Sequence, residues 1–225
     1  MLQIFAVQMK EKMSPAVFNR LLNESSLERQ KKAQRFVKYE DAARSLIGER
    51  LAREAIARHT GMSVFDIRFA ENKYGKPHVI GWRESLYFNV SHSGEWIVCA
   101  IDIRPVGIDV ERIIPIDLQI AHQFFSKQEC VQLMSMPAEQ RLPYFFEIWT
   151  MKESYIKADG RGLSIPLNSF SINMSRSSAE LFIENGRSAC YFKQYDIDVS
   201  YKLAVCSVRA VFPERIITME HASFW

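Results

Sequence analysis

The chain has 225 residues, 48% of them hydrophobic, which is enough apolar side chain for one large core or two smaller ones and excludes a disordered protein. A formal net charge of +3 is too slight to mark a nucleic-acid binder, yet it favours acidic ligands or partners. Four cysteines without a CxxC pair, no run of the roughly 18 apolar residues a membrane span needs, and no basic start before the first apolar stretch together read as a reduced, cytoplasmic protein without a membrane segment.

Residues 3–9 read as a first strand, and Ser14-Pro15 opens a short helix in "SPAVFNRLL". A helical tract follows from about Ser26 to His59, with a break near Tyr39 to Asp41 and Gly61 as its stop. Next come the strand "DIRFA", the turn "NKYGKP", the strands "SLYFNVS" and "WIVCAID" around "HSGE", and the strand "VGIDVERI". Helices are expected over about 117–136 and 138–159, the second ended by Gly160 and Gly162, and the tail from Ser169 on is mostly strands. Each part thus repeats a long helix, a glycine turn and strands. This predicts an α/β (α+β) protein of two similar α/β halves, residues 1–103 and 104–225, packed without a linker.

In "VGIDVERI" the period of a strand places Asp109 and Glu111 on one face, with alpha carbons roughly 6.5 to 7 Å apart. Two such carboxylates repel unless a cation or donors lie between them, and Mg²⁺ suits the place because it takes a few carboxylates plus water and phosphate oxygens. A solvated sheet face explains a lone DxE equally simply. The turn "NVSHSGE" offers Ser91, His92 and Gly94 to a phosphate, or is an ordinary hairpin. A Ser-His hydrolase is disfavoured, because adjacent strand residues point to opposite faces and no GxSxG elbow is present. In "KYGKPHV" Lys76 sits between Gly75 and Pro77, either as a rigidly aimed amine or as a solvated one. The basic run Arg29, Lys31, Lys32, Arg35, Lys38 and, further on, Arg44 is a wet helix face or a phosphate clamp. It lacks the stacking aromatics of a nucleic-acid site.

The helix "FFEIWTMKESYIKADG" carries an apolar stripe, Ile148, Met151, Tyr155 and Ala158, at the helical period. Glu153 and Lys157 fall together beside it. They form either a plain i,i+4 ion pair or a third carboxylate and a cation for a phosphate site with Asp109 and Glu111.

The segments "GKP", "FNVSHSG", "VGIDVE", "FFS" and "WTMKESYIKADGRGLSIPL", in this order and spacing, resemble the Sfp-type 4′-phosphopantetheinyl transferases over essentially the whole chain. The resemblance implies a monomer of two similar α/β halves related by a pseudo-twofold axis, with coenzyme A in the cleft between them. It also implies transfer of the phosphopantetheine arm to a serine of an acyl or peptidyl carrier protein, leaving adenosine 3′,5′-bisphosphate. By the same resemblance Asp109, Glu111 and Glu153 are the ligands of Mg²⁺ or Mn²⁺, and Lys157 meets the pyrophosphate. Ser91 and His92 bind phosphate, with His92 and Arg44 on the 3′-phosphate, helped by Arg29 and Lys32. Gly75, Lys76 and Pro77 form the adenine-binding segment. Glu153, or Glu111 through a water, is the expected base. The stretch 124–137, with Phe125, Val131, Leu133, Met134 and Met136, is the expected carrier-docking surface, or simple core packing. Two other readings remain open from the residues alone: a Mg²⁺-dependent hydrolase of coenzyme A or nucleotides, and a non-enzymatic basic module using residues 28–38.

Overall fold

The structure is a computed structural model that describes the backbone of residues 1–174, 179–183 and 186–220, and the side chains among these outside 173–189. The chain forms two compact units, which divide at Ile103 and Arg104.

The first unit begins with β1 (Gln3–Gln8), followed by α1 (Pro15–Glu24), α2 (Leu27–Ala33) and the long α3 (Tyr39–Thr60). Ser14 caps α1 by accepting from the Val17 amide, and Pro15 occupies the first helical position, where its missing N–H costs nothing. The expected break in the helical tract falls just before Tyr39, across residues 34–38. A hairpin of β2 (Arg68–Glu71) and β3 (Pro77–Ile80) precedes β4 (Tyr87–Ser93) and β5 (Trp96–Asp102). β1, β5 and β4 pair antiparallel in that order, and α3 lies on their sheet. Leu46, Ile47, Leu51 and Ile56 of the helix meet Phe5, Val7, Ile97 and Cys99 in one core.

The second unit is built on β6 (Val106–Arg112), α4 (Ala121–Phe124), α5 (Lys127–Ser135), α6 (Ala138–Asp159), β7 (Phe170–Met174), β8 (Ala179–Ile183), β9 (Gly186–Gln194) and β10 (Tyr201–Ser207). Its five strands form one antiparallel sheet in the order β6, β10, β9, β8, β7, and α6 packs across β6 and β10. Both long helices stop at a glycine in the left-handed conformation, Gly61 after α3 and Gly160 after α6. The single helix expected over 117–136 is in fact two. A short helical stretch ends at Phe125, and Ser126 restarts the chain with a capping box, its hydroxyl accepting from the Glu129 amide while the Glu129 carboxylate accepts from the Ser126 amide.

The expected boundary of 104–225 for the second half is corrected at its far end. The second unit closes at Phe212, and the chain from Pro213 on groups with the first unit. The reason is β11 (Ile217–Met219), which pairs parallel with β1, Phe5 opposite Ile217 and Val7 opposite Met219, and completes the four-stranded sheet β11-β1-β5-β4. Three residues of strand are too few to show a period of their own. Cys99 and Cys206 are buried in strands as expected, and all four cysteines are free thiols. Among the described residues no helix is long and apolar enough to cross a membrane. Part of the expected strand "ELFIE", its Glu184, lies outside the described residues.

Candidate active site

Within the first unit α2, α3, the β2–β3 hairpin and β4 enclose a cavity of about 580 Å³. Successive turns of α3 present Ser45, Gly48, Glu49 and Ala52 to it, a helical face at spacings of three, four and seven. Phe69 and Phe88 give it an apolar wall, their rings 5.1 Å apart. Of the residues expected to bind the nucleotide, Arg29, Lys32, Gly75, Pro77 and His92 line this cavity. Lys32 is exposed overall, and partial loss of water and then the Arg29 charge draw its amine below the ordinary lysine value, against the pull of Glu71. Gly75 is left-handed and ends a tight turn in which the Asn72 side chain accepts from the Lys76 amide at 2.9 Å. Arg44, Lys76 and Ser91 do not line the cavity. Arg44 pairs with Asp41 and donates to the Gly94 carbonyl at 3.0 Å, in the turn that follows His92.

The acidic constellation lies within the second unit, where β6 meets α6. Along the face of β6 that carries Gly107, Asp109 and Glu111, α6 covers the first two rather than leaving them solvated. A β-carbon on Gly107 would lie 2.0 Å from the Ser154 carbonyl and 2.5 Å from the Ala158 amide. The helix can therefore approach only because position 107 has no side chain. Two residues along that face, Asp109 is buried and accepts from the Lys157 amine at 2.5 Å. Glu153, one turn earlier on α6, feels both. Burial, then the Asp109 charge, raise its carboxyl above the ordinary range, and Lys157 opposes them. Glu111 is half-buried at the end of β6, opposite Lys202 of β10. Gly107→Ala is accordingly expected to force α6 off β6, costing roughly 3 kcal/mol or more as overpacking against backbone. A thermal melt checks this, and an unchanged Tm would refute the close approach.

Asp109 and Glu153 offer only oxygen donors, which fits a hard divalent cation that fills its remaining positions with water and phosphate oxygens. Among the described residues, no group of three or more His, Cys, Asp or Glu side chains is gathered tightly enough to hold a metal by itself. The structure thus brings Asp109, Glu153 and Lys157 together in the second unit, and Arg29, Lys32, Gly75, Pro77 and His92 in the first.

Two family models cover most of the chain. One, described as 4′-phosphopantetheinyl transferase superfamily, matches residues 105–206, and the other, 4′-phosphopantetheinyl transferase, N-terminal, matches residues 12–104. The chain is 39% identical to 4′-phosphopantetheinyl transferase Sfp of Bacillus subtilis (strain 168) over 98% of both sequences. The chain belongs to the 4′-phosphopantetheinyl transferase family. It is also 39% identical to the transferase gsp of Aneurinibacillus migulanus, over 92% of this chain and 86% of that one, and 39% identical to psf-1 of Bacillus pumilus, over 96% and 94%.

In this phosphopantetheinyl transferase the adjacent pair Lys152-Glu153 divides between two tasks. Glu153 faces Asp109, whereas Lys152 turns inward and is fully buried. Its amine binds Glu129 at 2.8 Å and donates to the carbonyls of Leu167 and Phe170 at 2.8 and 2.7 Å. Of the expected docking residues, Phe125 and Leu133 are core and Met136 packs against it, while Val131 and Met134 stay exposed. Glu49 and Ser45, which sit behind Arg29, are not singled out by the sequence, where Glu49 and Arg53 have only the i,i+4 spacing common to surface pairs.

Proposed function

We propose that this transferase moves the 4′-phosphopantetheine arm of coenzyme A onto a serine of an apo acyl or peptidyl carrier protein, releasing adenosine 3′,5′-bisphosphate, with nonribosomal peptide synthetases as the acceptor class. The observation that carries the reading is the meeting of Asp109, Glu153 and Lys157 where α6 crosses β6, two carboxylates and an amine suited to a magnesium pyrophosphate. The likeness to relatives named Sfp and gsp supports the acceptor class. We take it to act as a monomer in the reducing cytoplasm, where its four unbridged cysteines would persist as thiols.

In this reading the first unit's cavity takes the nucleotide end of coenzyme A. Arg29, Lys32 and His92 face its 3′-phosphate, with Arg44 beside the turn after His92, and Gly75 and Pro77 border the adenine, while Lys76 and Ser91, outside the cavity lining, would meet only parts of the ligand that extend beyond it. Asp109, Glu111 and Glu153 would hold Mg²⁺, or Mn²⁺ in its place, and the cation when bound supplies positive charge to the pyrophosphate oxygens. The Lys157 amine adds charge to the same oxygens as they become the leaving group. Glu153, or Glu111 through a water, accepts the proton of the carrier serine. The serine oxygen forms a bond to the β-phosphorus, and the bridging P–O bond breaks with its electron pair on the bisphosphate. No covalent enzyme intermediate is formed.

Intact-mass spectrometry of an apo peptidyl carrier protein incubated with this protein, coenzyme A and Mg²⁺ tests the reading. The expected result is the mass gain of one phosphopantetheine group, absent with EDTA and absent with a carrier whose acceptor serine is alanine. Coenzyme A left intact, with no gain across several carriers, would overturn it. Cleavage of coenzyme A without any carrier would identify a hydrolase instead.

A further inference from the structure

We propose that Glu49 is a positioning residue for phosphate recognition: it holds Arg29 on the cavity wall, so that preference for a 3′-phosphate depends on a carboxylate that need not touch it. The inference rests on the reading that this cavity receives the nucleotide end of coenzyme A.

Glu49 is 4% exposed and sits between two guanidinium groups. Its Oε1 accepts from Arg53 at 3.0 and 2.8 Å and from the Ser26 amide at 2.7 Å. Its Oε2 accepts from the Ser26 hydroxyl at 2.7 Å and from Arg29 Nε at 3.4 Å. Burial acts to raise the carboxyl, but the donors from Ser26 and Arg53 outweigh it and hold the group below the ordinary range, as a carboxylate.

The two arginines differ in what they have left to give. Arg53 spends Nη1 on the carbonyls of Ile67 and Val64, at 2.7 and 3.1 Å, and serves the fold. Arg29 is held at two of its three nitrogens, by Nε to Glu49 at 3.4 Å and by Nη1 to the buried Ser45 hydroxyl at 2.9 Å. Among the described residues its Nη2 has no acceptor, and the side chain is a quarter exposed on the cavity wall. A planar guanidinium held at two of its three nitrogens keeps the third, Nη2, pre-aimed as a charged donor for a phosphate oxygen. Glu49 is shared by two arginines, and on the rest of the lining Lys32 is set against Glu28 and Glu71, so selectivity here rests on aimed donors rather than on net charge. Through Ser26, the N-cap of α2, Glu49 further fixes the start of the helix that carries both cations.

The test is calorimetric binding of adenosine 3′,5′-bisphosphate and of adenosine 5′-monophosphate to the full chain, as wild type, Glu49→Gln, Arg29→Ala and the double variant. Wild type is expected to prefer the bisphosphate. Glu49→Gln is expected to cut that preference roughly tenfold, the worth of one charge-assisted bond, with monophosphate affinity within about twofold. In the Arg29→Ala background Glu49→Gln should cost nothing further, because the two act through one group. A preference unchanged in Glu49→Gln, or a loss that adds in full to that of Arg29→Ala, overturns the positioning role alone. A wild type without preference overturns the cavity assignment itself. Should Glu49→Gln fail to fold, Ser45→Ala, which releases Arg29 Nη1 without uncovering a buried charge, decides the matter: a reduced preference supports the role and an unchanged one refutes it.

Discussion

Glu153→Gln is expected to slow phosphopantetheine transfer roughly a thousandfold, in the middle of the range a positioned acid or base contributes, while sparing most of the coenzyme A affinity. The amide keeps the shape of the side chain and removes both the proposed proton acceptor and a charge. The same variant should be more stable than wild type in cation-free buffer at neutral pH. Burial and the neighbouring Asp109 raise the folded-state pKa of Glu153, so the folded chain holds that proton more tightly than the unfolded one. The stability linked to this group is therefore complete below the unfolded pKa and lost as pH rises through the raised one. Glutamine never ionises and escapes that loss, and the advantage should vanish in acid. Thermal melts with EDTA at neutral pH and below the carboxylate range check this, alongside single-turnover transfer. Near-normal turnover would remove Glu153 from the chemistry, and a Tm difference independent of pH would remove the strain attributed to Asp109.

The second large effect concerns Lys152, next in sequence and opposite in duty. Both it and Glu129 are wholly buried, and the Glu129 carboxylate also accepts from the amides of Ser126 and Ile172. Burial draws the lysine below its ordinary pKa, and the Glu129 charge opposes this. Lys152→Met leaves a carboxylate sealed in the core without its cation, which is expected to cost about 3–5 kcal/mol. For a chain of this size that is a fall in Tm of roughly 10 °C. The double variant Lys152→Met/Glu129→Gln carries no uncompensated charge and still accepts from the Ile172 amide, so it should lose distinctly less. If the double variant melts no higher than the single, the stranded charge is not the cause.

These two neighbours also show what a sequence exposes and what it conceals. The short "GIDVE" and "WTMKESYIK" segments are legible because their chemistry is set by local periods, two for a strand and 3.6 for a helix, and the two sets of residues do meet. Lys152 is not legible, since a lysine beside a glutamate on a helix reads as solvated, and its burial is decided by Glu129 and by carbonyls near residue 170. Glu49 is hidden for the same reason. β11 is hidden because its pairing partner is at the far end of the chain. The division of 117–136 into two helices does have a sequence signal, since Ser126 and Glu129 have the spacing of a capping box, but apolar residues continue through it and mask the break. The residues with no address in the sequence are those whose partners are remote.

The return of β11 to β1 bears on how the protein is made. Strand β1 leaves the ribosome before the second unit and β11 after it, with the whole second unit synthesised between them. Until then one hydrogen-bonding edge of β1 lacks the neighbour it will finally have, a temporary template for the wrong strand. The second unit can close on itself during translation, since its strands are contiguous in sequence from β6 to β10. The first cannot finish until the second has been synthesised, so a ribosome stalled between β10 and β11 would hold a nascent chain with Asp109 and Glu153 in place and its opening sheet still incomplete.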